Sequence, residues 1–74
     1  MSILPVLAAR SVIRKLTRAG FVFKEAHGSH YIFAHPANGR MTAVPMHGGK
    51  DIDRKLMSKI IKQTGLSVDE FLKL

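Results

Sequence analysis

Phe21-Val22-Phe23-Lys24-Glu25-Ala26-His27-Gly28-Ser29-His30-Tyr31-Ile32-Phe33-Ala34-His35-Pro36-Ala37-Asn38-Gly39-Arg40-Met41-Thr42-Ala43-Val44 is the stretch that decides the fold. Residues 21–25, 30–34 and 40–44 are short runs rich in β-branched and aromatic side chains, divided by Gly28 and by Pro36-Ala37-Asn38-Gly39. They read as three strands. Asn38-Gly39 is a hairpin signal, since both residues tolerate positive φ. Strands joined by loops this short pair antiparallel.

Helical periodicity flanks the strands. Between Arg10 and Ala19, Val12, Ile13, Leu16 and Ala19 fall on one side while Arg10, Arg14 and Arg18 line another. Gly20 is a natural stop for that helix. A second helix is expected over about residues 52–63, with Ile52, Leu56, Met57, Ile60 and Ile61 as its buried stripe and Lys55, Lys59 and Lys62 opposite. Gly65 closes it. Ser67 with Glu70 three residues on forms a capping-box pattern for a last short helix through Phe71 and Leu72. The expected fold is α+β: α-β-β-β-α over one domain, residues 1–74, ending in a short C-terminal helix. Its three-stranded antiparallel sheet carries both longer helices on one face and leaves the other to solvent.

Seventy-four residues can bury one small core but no deep pocket, which argues against a large cofactor. The chain contains no cysteine, so disulfides and thiolate metal sites are excluded, in keeping with a reducing cytoplasm. The opening Met1-Ser2-Ile3-Leu4-Pro5-Val6-Leu7-Ala8-Ala9 is apolar but short, is broken by Pro5 and has no basic residue ahead of it. It is expected to pack onto the domain rather than act as a secretory leader. No stretch approaches the roughly 20 apolar residues that cross a bilayer.

Twelve Lys and Arg against five Asp and Glu give a formal net charge of +7. Arg10, Arg14, Lys15, Arg18 and Lys24 precede the first acid, and the second helix adds its lysines. Such faces can simply solvate two amphipathic helices. A pI near 10.4 favours the alternative, a surface that gathers phosphates by releasing counterions.

All four histidines, His27, His30, His35 and His47, lie between positions 27 and 47. His30 enters a strand directly after a Gly28-Ser29 turn. An imidazole titrates near pH 6.5 and can serve as base or acid near neutrality. RNA supplies its own nucleophile, the ribose 2′-hydroxyl. A small metal-free site therefore needs only to take that proton, stabilise charge on phosphorus and protonate the leaving oxygen. With His30 as one proton-transfer group, His47, His27 or Lys50 is the candidate second. The Pro45-Met46-His47-Gly48-Gly49-Lys50 loop favours His47, because it can bring imidazole, ammonium and backbone N–H groups to one phosphate. Lys24 and Arg40 are candidate phosphate contacts, with Gly28 and Ser29 supporting the turn.

Blander readings fit other residues. Ser29 has no acid placed to complete a triad, so it reads as a turn-stabilising hydroxyl. Tyr31 and Phe33 share a face and read as core rather than a base-stacking platform. His35 before Pro36 reads as a strand terminus. Three imidazoles and a water could hold zinc. Along one extended segment, however, His27 and His35 have one parity and His30 the other, so no metal site is expected.

Ala19-Gly20-Phe21, Gly28-Ser29-His30, His35-Pro36, Val44-Pro45-Met46-His47-Gly48-Gly49-Lys50 and Ile60-Ile61-Lys62-Gln63-Thr64-Gly65-Leu66-Ser67 occur in an order and spacing that resembles the HicA toxin family of bacterial and archaeal toxin-antitoxin pairs. The resemblance spans nearly the whole chain. It implies a double-stranded-RNA-binding-like fold, translation-independent cleavage of mRNA, His30 as the catalytic residue, and neutralisation by a HicB-type antitoxin; no cofactor is expected. In that family a basic residue often stands where this chain has Met46.

Overall fold

The computed structural model describes residues 4–46 and 51–74. Its order is β1 (Leu7–Ala8), α1 (Ala9–Arg18), β2 (Val22–His27), β3 (His30–Ala34), β4 (Met41–Pro45), β5 (Asp51–Ile52), α2 (Arg54–Thr64) and α3 (Val68–Leu72). β2, β3 and β4 form an antiparallel sheet with β3 in the centre, and β1 pairs antiparallel with β5 in a separate two-residue ladder. The expected α+β, double-stranded-RNA-binding-like architecture is present.

Strand register sorts the side chains. Tyr31 faces Val44 and Phe33 faces Thr42 across β3–β4, and this is the face on which α1 and α2 build the core. Val12, Leu16, Phe21, Phe33, Val44, Met57, Ile60 and Phe71 are its buried centre, and Tyr31 packs against them. Burying each of the larger side chains contributes about 1.5–3 kcal/mol. His30, Ile32, Ala34, Met41 and Ala43 have the opposite parity and lie exposed or half-buried. β2 is an edge strand exposed along its whole length. Phe23 sits across from Phe33 on the core face but remains 54% exposed, because the strand lies at the sheet margin. Its ring packs on Tyr31 and Phe33 at centroid distances of 5.5 and 5.8 Å.

Chain reversals follow local chemistry. α1 ends as Gly20 adopts φ +99°, which lets the Phe21 N–H reach the Leu16 carbonyl and the Gly20 N–H reach that of Thr17. The β3–β4 loop closes with the Gly39 N–H on the His35 carbonyl, while Asn38 contributes its side chain, accepting from the Arg40 N–H at 2.9 Å. Glu70 and Ser67 form the capping box of α3. The Glu70 carboxylate accepts from the Ser67 backbone N–H at 2.9 Å, and this bond first, then the nearby Ser67 side chain, lowers its pKa.

Some boundaries differ from the sequence reading. The first strand of the sheet runs Val22–His27, with Phe21 buried ahead of it. Ile52 belongs to β5, paired with Leu7, and not to the second helix. Asp53 is the N-cap, its carboxylate accepting from the Leu56 N–H at 2.9 Å, so α2 starts at Arg54. Leu4 and Leu7 pack against the core, as expected of the opening segment, and the Leu4 carbonyl accepts from Arg54 Nε at 3.0 Å.

Candidate active site

Gly28 and Ser29 form the two-residue loop between β2 and β3. Gly28 has φ +62° and Ser29 a negative φ, the combination of a type II′ turn, which requires glycine first. The Ser29 carbonyl accepts from the Met46 N–H at 2.7 Å, fastening the turn to the end of β4. Ser29 thus acts through its backbone within the turn. The turn sets His30 at the head of the central strand, between His27 on β2 and Pro45 on β4.

His30 is exposed and lines a cavity of about 170 Å³ together with Ala43, Pro45, Leu56, Lys59 and Gln63. Ligand sites for drug-sized molecules begin near roughly 300 Å³, so this groove suits a phosphodiester better than an enclosed nucleotide. α2 packs along β4, and Leu56, Lys59 and Gln63, spaced by three and four residues, form one ridge beside the imidazole. An adjoining depression is lined by Asp53, Lys55, Leu56 and Lys59. The sequence reading grouped Lys59 with a solvent-facing stripe and assigned Gln63 no role, yet both border the histidine. Their signal is the i, i+3, i+7 spacing with Leu56.

His27 lies directly across the hairpin from His30, so both side chains stand on the outward face. Its Nε2 is 3.1 Å from Glu25 Oε2, two residues back on the same strand. The parity argument that kept His27 and His30 apart holds along a single strand, but the chain folds back between them. Among the described residues no group of three or more His, Asp or Glu is placed to hold a metal.

The other candidates are dispersed. Lys24 is the extra residue of a bulge between Phe23 and Glu25, where it breaks the regularity of a free sheet edge. Arg40 is at the far end of the sheet from His30, its guanidinium packed over Gly65 at the C-terminus of α2. His35 does more than end a strand. Its Nδ1 accepts from the Ala37 N–H and its Nε2 contacts the Ala19 carbonyl, both at 3.2 Å, tying the β3–β4 loop to the end of α1. Lys15 is also engaged, donating to the Leu72 and Leu74 carbonyls at 3.0 and 3.2 Å. Arg10, Arg14 and Arg18 remain exposed along α1, as do Lys55, Lys59 and Lys62 along α2. His47 and Lys50 lie outside the described residues.

Fold and site together define a double-stranded-RNA-binding-like domain whose basic helices flank an outward-facing histidine. The family model described as "HicA toxin of bacterial toxin-antitoxin" matches residues 9–66, from the first residue of α1 to just past the cap of α2. A protein of Pseudomonas fluorescens (strain Pf0-1) named "Probable mRNA interferase HicA" is 40% identical over 53 residues, which cover 72% of this chain and 85% of that one. The chain belongs to the HicA toxin family. No helix among the described residues is long and apolar enough to cross a membrane.

Proposed function

We propose that the protein is a cytoplasmic mRNA interferase, a metal-independent endoribonuclease that cuts transcripts through His30 and is held inactive by a HicB-type antitoxin seated over that histidine. The reading is carried by the position of His30, an exposed imidazole at a fixed turn, bordering one small groove with the Lys59 ammonium. The name of the Pseudomonas relative supports mRNA as the substrate class.

The chemistry follows from the parts. Exposed arginines of α1 and lysines of α2 collect the RNA backbone through its phosphates. His30 removes the 2′-hydroxyl proton, and the oxygen attacks the adjacent phosphorus. Lys59 Nζ offsets the charge that builds on the non-bridging oxygens. A second histidine returns a proton to the departing 5′-oxygen, either His27, which lies across the hairpin from His30 and contacts Glu25, or His47. The products are a 2′,3′-cyclic phosphate and a 5′-hydroxyl. So shallow a site is blocked by steric cover alone, which is why the antitoxin is assigned to the His30 groove.

His30→Ala should lower RNA cleavage by roughly 10²–10⁴-fold and abolish growth inhibition while RNA binding persists. Cleavage by pure protein should survive excess chelator and stop when the cleaved position carries deoxyribose. His27→Ala and His47→Ala, compared on a substrate with a 5′-bridging sulfur, identify the acid, because that leaving group needs no proton and rescues only the acid's variant. If His30→Ala cuts RNA at the unaltered rate, the protein is instead a non-catalytic RNA-binding module.

A further inference from the structure

Thr42 is a polar residue on the core face of β4, 3% exposed, and its hydroxyl donates to Gln63 Oε1 at 2.7 Å. This is the one hydrogen bond that the Gln63 side chain makes among the described residues. Gln63 also borders the groove beside His30 and Lys59. The two facts are linked by the planarity of an amide. With the oxygen accepting from a buried hydroxyl on the sheet side, the plane of the amide is fixed and the Nε2 amino group keeps both of its donors.

We propose that Gln63 is a further catalytic residue, whose Nε2 donates to a non-bridging oxygen of the scissile phosphate, and that Thr42 is its positioning residue. The inference rests on the reading of His30 as the ribonuclease centre. A glutamine that reads adenine uses its carbonyl and amino groups together, and here the carbonyl is turned to the Thr42 hydroxyl. The N–H donors of Nε2, on a residue that lines the groove with His30 and Lys59, match an anionic oxygen. Because the amide is fixed before substrate arrives, its hydrogen bond to the developing charge requires little reorganisation.

Gln63→Leu should lower kcat by about 100-fold with little change in KM, the scale seen for loss of one preorganised donor. Thr42→Val keeps the shape of the side chain and frees the amide to rotate. It should lower kcat by roughly 10-fold, with Thr42→Ser restoring the rate. The discriminating measurement uses RNA carrying one sulfur at the scissile phosphate, as separated diastereomers. Sulfur is a poor acceptor, so the unaltered protein should cut one diastereomer more slowly, and Gln63→Leu should bring the two rates together. Circular dichroism and melting curves establish that each variant is folded. Should folded Gln63→Leu cleave within twofold of the unaltered rate, or keep the full diastereomer preference, the assignment is overturned. Failure of the His30 reading looks different, since His30→Ala would then be active whatever Gln63 does.

Discussion

Gly20→Ala offers a quantitative test of the junction between α1 and the sheet. A methyl group at Gly20 would stand 2.7 Å from His35 Nε2, at a φ of +99°. The ring cannot move aside without loss. Its Nδ1 accepts from the Ala37 N–H, so Nε2 carries the proton and donates to the Ala19 carbonyl, and the ring edge meets Phe21 at a centroid distance of 5.1 Å. Left-handed backbone costs an alanine about 1 kcal/mol. Displacing the imidazole forfeits two half-exposed hydrogen bonds and an aromatic contact, together about 2 kcal/mol. The expected loss is therefore roughly 3 kcal/mol, or some 12–24 °C in Tm for a domain of this size. His35→Ala alone should cost about 2 kcal/mol by the same bookkeeping. In that background Gly20→Ala should cost only its backbone share, about 1 kcal/mol. Urea titration of the four proteins gives the coupling energy directly. Equal costs of Gly20→Ala with and without the imidazole would refute the account, because the strain would then be the backbone's alone.

Other outcomes follow from the same contacts. Lys59→Met should slow RNA cleavage and flatten the log–log salt dependence of single-strand RNA binding by about 0.7, whereas Lys62→Met should flatten that slope without a comparable fall in kcat. Phe33→Ala should destabilise by about 3–5 kcal/mol, since the ring is buried in the core, while the half-exposed Phe23 should tolerate alanine at roughly 1 kcal/mol; chemical denaturation reads both. Glu70 has its pKa lowered by its bonds to Ser67, so its carboxylate stabilises the fold above the ordinary value of 4.5, and that contribution is lost as the pH falls through the lower folded value. Melting curves of Glu70→Gln, which keeps an acceptor but does not titrate, should converge with those of the unaltered protein as the pH drops below 4.5.

The features legible in the sequence are those that depend on near neighbours. Strand runs, the stop at Gly20 and the Ser67–Glu70 box each occupy a few consecutive residues, and the structure contains them all. Ile52 misled because it continues the apolar spacing of Leu56 and Ile60 by one turn. Asp53, a capping residue, set the helix start instead, and pairing with Leu7 claimed Ile52 for a ladder too short to have a periodicity. Lys15 and Arg40 counted equally with every other cation in the net charge. Their ends are nevertheless occupied by the C-terminal carbonyls and by the end of α2, contacts made across long sequence separations.

The groove illustrates how a site can be half visible. His30 stands out because a glycine turn precedes it, but what surrounds it depends on where α2 settles against β4, and no local pattern encodes that. Two polar residues nonetheless carry a trace of the answer. Thr42 alternates with Val44 on the core face, a position where an unpartnered hydroxyl would cost roughly 1–3 kcal/mol. Gln63 follows Ile60 and Ile61 at the margin of the buried stripe of α2, where its amide reaches the Thr42 hydroxyl on the sheet. A polar residue at a core position requires a partner, and here the partner borders the candidate catalytic groove. The Thr42–Gln63 bond therefore satisfies a buried hydroxyl and joins α2 to β4 at the edge of the groove that Lys59 and His30 also line.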